Sequence, residues 1–398
     1  MSKLPVSIPA RLHLSKDVIL TSAIALVSII LALVPTGFEK ESFAEVHRPQ
    51  ALVLSVNDTY VKQFGLVREG MQLVHVRILE GPFAGKEVDA TNYIVGKLEL
   101  DKVFRPGDKA IMVLTVDGDA IKSAIAYDQY RLDVVLVLLI LFVLLLIGFA
   151  GWIGARALLS FGWAALLIWK GLIPGMLHGW DPIVLSLGIV SGLIVGITFL
   201  VAGISRKAVV AALGALLGIL LTCILALVFY GPFHVHGAVL PFSETLLYSG
   251  FPQLDLTRIY LAGIFISASG ALMDLSMDIS AAMQEVIEKK PDIRLRELIG
   301  SGLAVGRVVT GTMVTTLLLA YAGGYSAMLM LFMGQGIPFV NIVSINYVAA
   351  EILKTMVGSF GLVTVAPFTA IVGGFIHAKK IHHPKENVVR PAPDLVSD

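Results

Sequence analysis

Cysteine is almost missing from this 398-residue chain, which has only Cys223, set inside an apolar segment. A single thiol excludes an intramolecular disulfide framework, a CxxC pair and a zinc knuckle, and it leaves the redox compartment undetermined. Charge is scarce too: Asp, Glu, Lys and Arg make up 15% of residues and the formal net charge is +1. That balance gives no global basic field for nucleic acid and no acidic field for cations, so no nucleic-acid partner is expected and any charge argument must be local. No nucleophile elbow, HExxH or kinase signature occurs, and neither an enzyme nor a cofactor is expected. GPFAGK places three residues between Gly81 and Gly85. A Walker loop needs four, then Lys and Ser or Thr, so this stretch is expected to be a structural turn. His234 and His236 in GPFHVHG have no acid or Cys nearby to complete a metal set, and His382 and His383 sit in a polar tail. All four are expected to be loop histidines, and no metal site is assigned.

What the chain has in abundance is apolar surface. Hydrophobic residues make up 56% and mean hydropathy is +0.84, well above a soluble globular chain, so an integral membrane protein is expected, with the lipid bilayer as its first partner. The amino terminus carries Lys3, Arg11 and Lys16 and leads into VILTSAIALVSIILALV, residues 18–34. A cleaved signal peptide and an uncleaved first span share this pattern; the absence of a small-x-small cleavage site favours the span. Residues 35–132 then hold much of the charge. ALVLSV (51–56), MQLVHVRIL (71–79) and KAIMVLTV (109–116) are short, partly alternating runs separated by GPFAGKEV and RPGDK, which predicts a small β-barrel-like or sandwich domain.

From 134 to 377 the chain is mostly apolar, with predicted spans near 134–150, 155–173, 183–202, 208–230, 258–279 and 300–321. GLIVG (192–196), GALLG (214–218) and GLAVG (302–306) are GxxxG spacings that let helices approach closely, and packing is their expected role. Arg156, Arg206 with Lys207, and the hairpin 285–298 with Lys289, Lys290, Arg294 and Arg296 fall at every second turn, while the alternate connections lack Lys and Arg. The positive-inside rule then gives a multi-pass membrane protein with a cytoplasmic amino terminus and an extracytoplasmic β-domain. The basic tail AKKIHHPKENVVR calls for an odd number of crossings between 325 and 377, where Gly334, Gly336 and Pro338 interrupt the helical pattern. A re-entrant half-helix followed by one crossing at 356–376 meets that rule; two full crossings would put the tail outside. The expected architecture is therefore polytopic α-helical with about eight spans: residues 1–34 anchor, 35–132 β-domain, 133–378 bundle and 379–398 tail.

GALMDLSMDISAAMQEV (270–286) places Asp274 and Asp278 on one helical face at the end of an apolar run. The next span carries Arg307, Thr310, Thr312, Thr315 and Thr316. A short hairpin joins the two helices, so acids and arginine are expected to meet. Two readings are open. The cluster is either a packing ion pair, whose desolvation offsets its attraction, or a proton or ion relay in which two coupled carboxylates titrate beside one guanidinium. Glu351 and Lys354 read as an interfacial salt bridge or a substrate contact, and Asn341 and Asn346 join them as secondary candidates.

Residues 262–324 contain GALMD, the PDIRLREL hairpin, GR at 306–307, GTM at 311–313 and LAYAGG in order. This stretch resembles the YibE/F family of bacterial multipass membrane proteins, and the order of anchor, outer domain and bundle is similar from the first span to about 377. The resemblance implies location and architecture more than activity. Relatives usually carry an acid directly after the GR arginine, where Val308 stands here; Asp278 replaces a small polar residue, and an Asn is often found at the position of Thr315. The second acid of this chain would then have moved across the helix pair. A fainter likeness, over about 50 residues, links the acid-bearing and Arg-Thr-bearing spans to the membrane helices of the SecDF export component and RND exporters. The expected function is an inner-membrane permease or exporter, proton- or ion-coupled, acting on an ion or small molecule. The alternative is a non-transporting scaffold whose β-domain binds an envelope protein, and a homo-oligomer fits either.

Overall fold

The computed structural model describes residues 16–38, 46–118 and 120–381. Lys3, Arg11, His382, His383 and nearly all of the expected tail lie outside the described residues. The chain forms two compact units, one of residues 35–151 and one of residues 1–34 with 152–398.

The first unit is built on a six-stranded sheet: β1 (Val46–His47), β2 (Gln50–Phe64), β3 (Val67–Ile78), β4 (Glu87–Val95), β5 (Lys109–Asp117) and β6 (Ala120–Gln129). Alternation puts Val74, Val76 and Ile78 of β3 and Ala110, Met112 and Leu114 of β5 inside, together with Phe104. β5 pairs antiparallel with β1, β2 and β6, while β2, β3 and β4 follow in antiparallel succession. Five strands cannot close a ring with every neighbour antiparallel. The β4–β6 seam is accordingly parallel and holds one pair, Thr91 with Ile125. The expected barrel-like domain is thus a curled sheet, not a closed barrel. Gly70, at φ 123°, packs against the backbone of Tyr60 at a β2 irregularity, where any side chain would collide. Inside the sheet, the buried Gln72 amide donates to Phe104 O (3.0 Å) and accepts from Phe104 N (3.0 Å), and Asn92 donates to Gln72 Oε1 (3.1 Å) and Lys102 O (2.7 Å). This network ties the long 96–108 connection to the sheet, leaving only Asn92 Oδ1 of the two amides without a partner among the described residues.

The helical part comprises α1 (Lys16–Leu33), α2 (Leu132–Leu166), α3 (Ile173–Leu177), α4 (Pro182–Ala202), α5 (Arg206–Phe229), α6 (Ser243–Tyr248), α7 (Leu256–Lys289), α8 (Leu295–Gly334), α9 (Phe339–Ser344) and α10 (Asn346–Ile381). Among the described residues six helices are long and apolar enough to cross a membrane, with shorter apolar helices at Asp17–Leu33 and Ala322–Gly334. The two spans expected at 134–150 and 155–173 fall in the 46-residue run Leu132–Leu177, which is two helices joined across a kink at Gly151 (φ 53°, ψ −127°). One revision concerns Arg156, which lies within a helix and not in a loop.

A second revision concerns 322–334. The sequence predicts a connection at GGYSA and a re-entrant half-helix after it, but these residues prolong α8 to 40 residues. With no water to compete for backbone groups, glycine does not by itself end an apolar helix. The chain turns at Gln335–Pro338, forms the six-residue α9, and returns through α10.

The bundle core joins α4, α5, α7, α8 and α10 through Ile194, Ile219, Phe265, Leu272, Leu275, Leu353 and Val365. Two GxxxG pairs sit at its tightest crossings: Gly214 and Gly218 of α5 face Thr369 and Val365, and Gly302 and Gly306 of α8 face Ala370 and Ala366. Asp17 Oδ1 at the start of α1 accepts from Ile204 N (2.9 Å), beside Arg206 and Lys207, while Asp181 at the start of α4 pairs with Arg258 of α7.

Candidate functional site

One face of α7 is apolar and buried: Ile264, Phe265, Ala268, Leu272, Leu275, Ile279 and Met283 all point into the core. The other face repeats every three or four residues as Gly263, Ser267, Gly270, Asp274 and Asp278, small and polar groups that share a stripe at 3.6 residues per turn. Ser267, Gly270, Asp274 and Asp278 are exposed on the protein surface. Asp274 and Asp278 open onto a crevice of about 460 Å³ walled by Ile197, Thr198 and Val201 of α4 and Met313 of α8. Among the described residues neither carboxylate has an ion pair within 4 Å or a hydrogen bond.

The expected meeting with Arg307 does not occur. Ile279 Cδ1 would lie 3.2 Å from a Cβ at Gly306, so Asp278 and Arg307, the next-door residues, occupy the same level of the bundle. Arg307 is nevertheless exposed and forms no ion pair or hydrogen bond among the described residues. Its position around α8 explains this. Met313, which shares the crevice of the acids, is six residues further on, about 240° around the helix. The guanidinium therefore leaves α8 on a different flank from the one that faces the carboxylates of α7. Helix adjacency and depth were readable from the hairpin, but the rotation of α8 was not.

The threonines divide. Thr312 Oγ1 donates to Val309 O (2.9 Å) and Thr316 Oγ1 to Thr312 O (3.1 Å), each back to its own helix. Thr315 is exposed, and Thr310 Oγ1 is buried with no hydrogen-bond partner.

The secondary candidates form a site of their own. Glu351 and Lys354, on α10, are an i, i+3 pair at 3.4 Å with side chains only 14% and 25% exposed, so the pair is largely enclosed by the bundle. With Tyr260 and Ser267 of α7, Tyr325 of α8 and Tyr347 they line a cavity of about 110 Å³. Glu351 and Tyr325 also border a second one of about 170 Å³, otherwise apolar, between α8 and α10. Tyr260 Oη donates to Ala350 O (2.6 Å), pinning α7 to α10 beside the carboxylate. Sequence reasoning missed Tyr260, Ser267 and Tyr325. Tyr325 was hidden by the assignment of GGYSA to a loop, whereas the three- and four-residue steps from Tyr260 through Gly263 to Ser267 were a usable signal. Asn346 Nδ2 lies 3.4 Å from His236 Nε2, and Asn341 is exposed on α9. These two are not part of either carboxylate site.

Residues 138–379, more than half the chain, match the YibE/F-like protein family. The chain belongs to that family. No curated protein and no solved structure matches it. The matched region of this YibE/F chain takes in α4 to α9 and all but the last two residues of α10, so both carboxylate sites fall inside it.

Proposed function

We propose that this YibE/F protein is a bacterial inner-membrane permease or exporter driven by a proton or ion gradient, with Asp274 and Asp278 as the coupling acids. The observation that carries this reading is a pair of unpartnered carboxylates one helical turn apart, at a membrane-crossing helix, opening onto a crevice large enough for water. An ionised Asp within an apolar span costs up to about 2.5 to 3.5 kcal/mol, the value at its centre, so two neighbouring acids at such a helix favour sharing a proton over carrying two charges. Thr198, on the opposite wall, is buried and turns its hydroxyl back to Ile194 O (2.6 Å), so the acids are the ionisable groups of the crevice. Glu351, with Lys354, Tyr260 and Tyr325, provides a second ionisable station on the same face of α7, nearer its amino-terminal end.

The test is proton movement in sealed proteoliposomes with a pH-reporting dye inside. The wild-type chain is expected to carry protons down an imposed gradient, and Asp274→Asn to abolish that flux with an unchanged thermal midpoint. Equal flux in the variant would end the reading, as would a wild type that carries none.

A second reading, a non-transporting scaffold, draws on a different observation. Tyr60, Phe64, Leu66, Tyr93 and Val95 of the β-domain are all exposed, and the register places Tyr60, Met71 and Tyr93 side by side across β2, β3 and β4. Exposed aromatic and aliphatic groups clustered on a sheet suit an envelope-protein partner. Unchanged partner capture by Asp274→Asn, with no flux in any variant, would favour it.

A further inference from the structure

We propose that the α7–α8 face is an interface with a second copy of this chain, related by a two-fold axis along the membrane normal, in which Arg307 of each copy meets Asp274 and Asp278 of the other. Asp274, Asp278 and Arg307 are all exposed at helices long and apolar enough to cross a membrane, and none has an ionic partner among the described residues. Charges in such helices face protein or water and not lipid, and they find opposite charges. Here the two signs are present in one chain at one level, fixed by the Ile279–Gly306 contact, yet on opposite flanks of α8.

A two-fold axis in front of α8 resolves that mismatch. Rotation about the membrane normal preserves depth and brings the right flank of one α8 against the left flank of the other. The arginine of each copy thereby approaches the acids of its partner, twice over. The surface between the flanks suits a close approach: Ala304, Gly311 and Thr315 are exposed, lie along one line of α8, and are small. A Cβ at Gly311 would meet nothing within 4 Å, so the space in front of it is open in the single chain. A different polypeptide would need its own matching pair of charges at that depth; a second copy has them by construction.

The test reads assembly and not flux, so it stands apart from the transport reading. In a Cys223→Ala background, Thr315→Cys is oxidised in native membranes. The expected product has twice the mass of the chain, while Val184→Cys, on an outward face of α4, gives none. Absence of the product, or a product of another mass, overturns the proposal. The charge contacts are tested in trans on the same cross-link. Arg307→Asp and Asp278→Arg chains expressed singly are each expected to lose it at least tenfold. Expressed together they regain it, because each supplies the charge the other lacks. Two variants that insert in the membrane but fail to restore the cross-link together would remove the arginine–acid contact, and the Thr315→Cys result decides the interface even where a reversed charge prevents insertion.

Discussion

Asp181 joins the starts of two helices with one carboxylate. Its Oδ1 accepts from Ile183 N (2.9 Å) and Val184 N (3.1 Å), capping α4, and its Oδ2 pairs with Arg258 of α7. Burial alone would raise its pKa, but the Val184 amide, Arg258 and the Ile183 amide together outweigh that and hold it below the usual value. Asp181→Ala should cost about 1 kcal/mol, seen as a lower thermal midpoint at neutral pH. A folded pKa below the unfolded one means that the contribution is full above the unfolded value and lost as pH falls through the folded value. The gap between wild type and variant should therefore close in strong acid. On the β-domain, His75 Nδ1 lies 2.8 Å from Asp89 and its Nε2 3.3 Å from Glu87, which also takes two hydrogen bonds from Arg77. The bonds to Asp89 and then Glu87 raise the pKa of His75, and those from Arg77 and then His75 lower that of Glu87. The histidine contribution is complete below its unfolded value of 6.5 and fades as pH rises through the raised one. The glutamate contribution is complete above 4.5 and fades as pH falls through the lowered one. β3–β4 amides should thus exchange with deuterium most slowly between those limits, after correction for intrinsic rates. His75→Gln should flatten the alkaline side of that profile.

Among the elements, helices and strands were legible wherever periodicity was sustained, and illegible where glycine carried the decision. The runs 51–56, 71–79 and 109–116 fall inside β2, β3 and β5 because alternation and turn chemistry agree there. Gly323 and Gly324 read as a boundary and are interior to α8, whereas the break expected between 150 and 155 falls at Gly151. A local pattern does not record which glycines end a helix and which are held inside one. The three GxxxG spacings make the same point. A Cβ at Gly214 would come within 2.9 Å of Thr369 Cα, and one at Gly306 within 2.8 Å of Ala366 Cβ, but one at Gly192 would meet nothing within 4 Å. Gly214→Leu should therefore force α5 and α10 apart and destabilise by about 1 to 3 kcal/mol. Gly192→Ala should stay within about 0.5 kcal/mol of wild type. Thermal unfolding of the two purified variants separates these outcomes; equal midpoints would mean that α5 and α10 do not cross as closely as the glycines require. The candidate site was half legible for a related reason: spacing put both acids on one face of α7, but no spacing within α7 fixes how α8 is turned.

At the level of the whole molecule, sidedness follows from the distribution of fixed positive charge, independent of any transport step. Arg206 and Lys207 lead α5, Lys289 and Lys290 end α7, and Ser280 Oγ donates to Lys207 O (2.8 Å), so these basic groups gather at one end of the bundle. Asp181 with Arg258, and the 231–255 connection, mark the other end. Lysine and arginine in short loops are retained on the cytoplasmic side, which predicts that the hairpin between α7 and α8 faces the cytosol and the β-domain faces away from it. Cys223 is buried, so single cysteines elsewhere can be read against a quiet background once it is replaced by Ala. Lys97→Cys, exposed on the β-domain, should react with a membrane-impermeant maleimide in intact spheroplasts, and Asp292→Cys, exposed in the hairpin, only after lysis. Reaction of both from outside would reverse the hairpin. The gradient would then act on Asp274 and Asp278 from the opposite side.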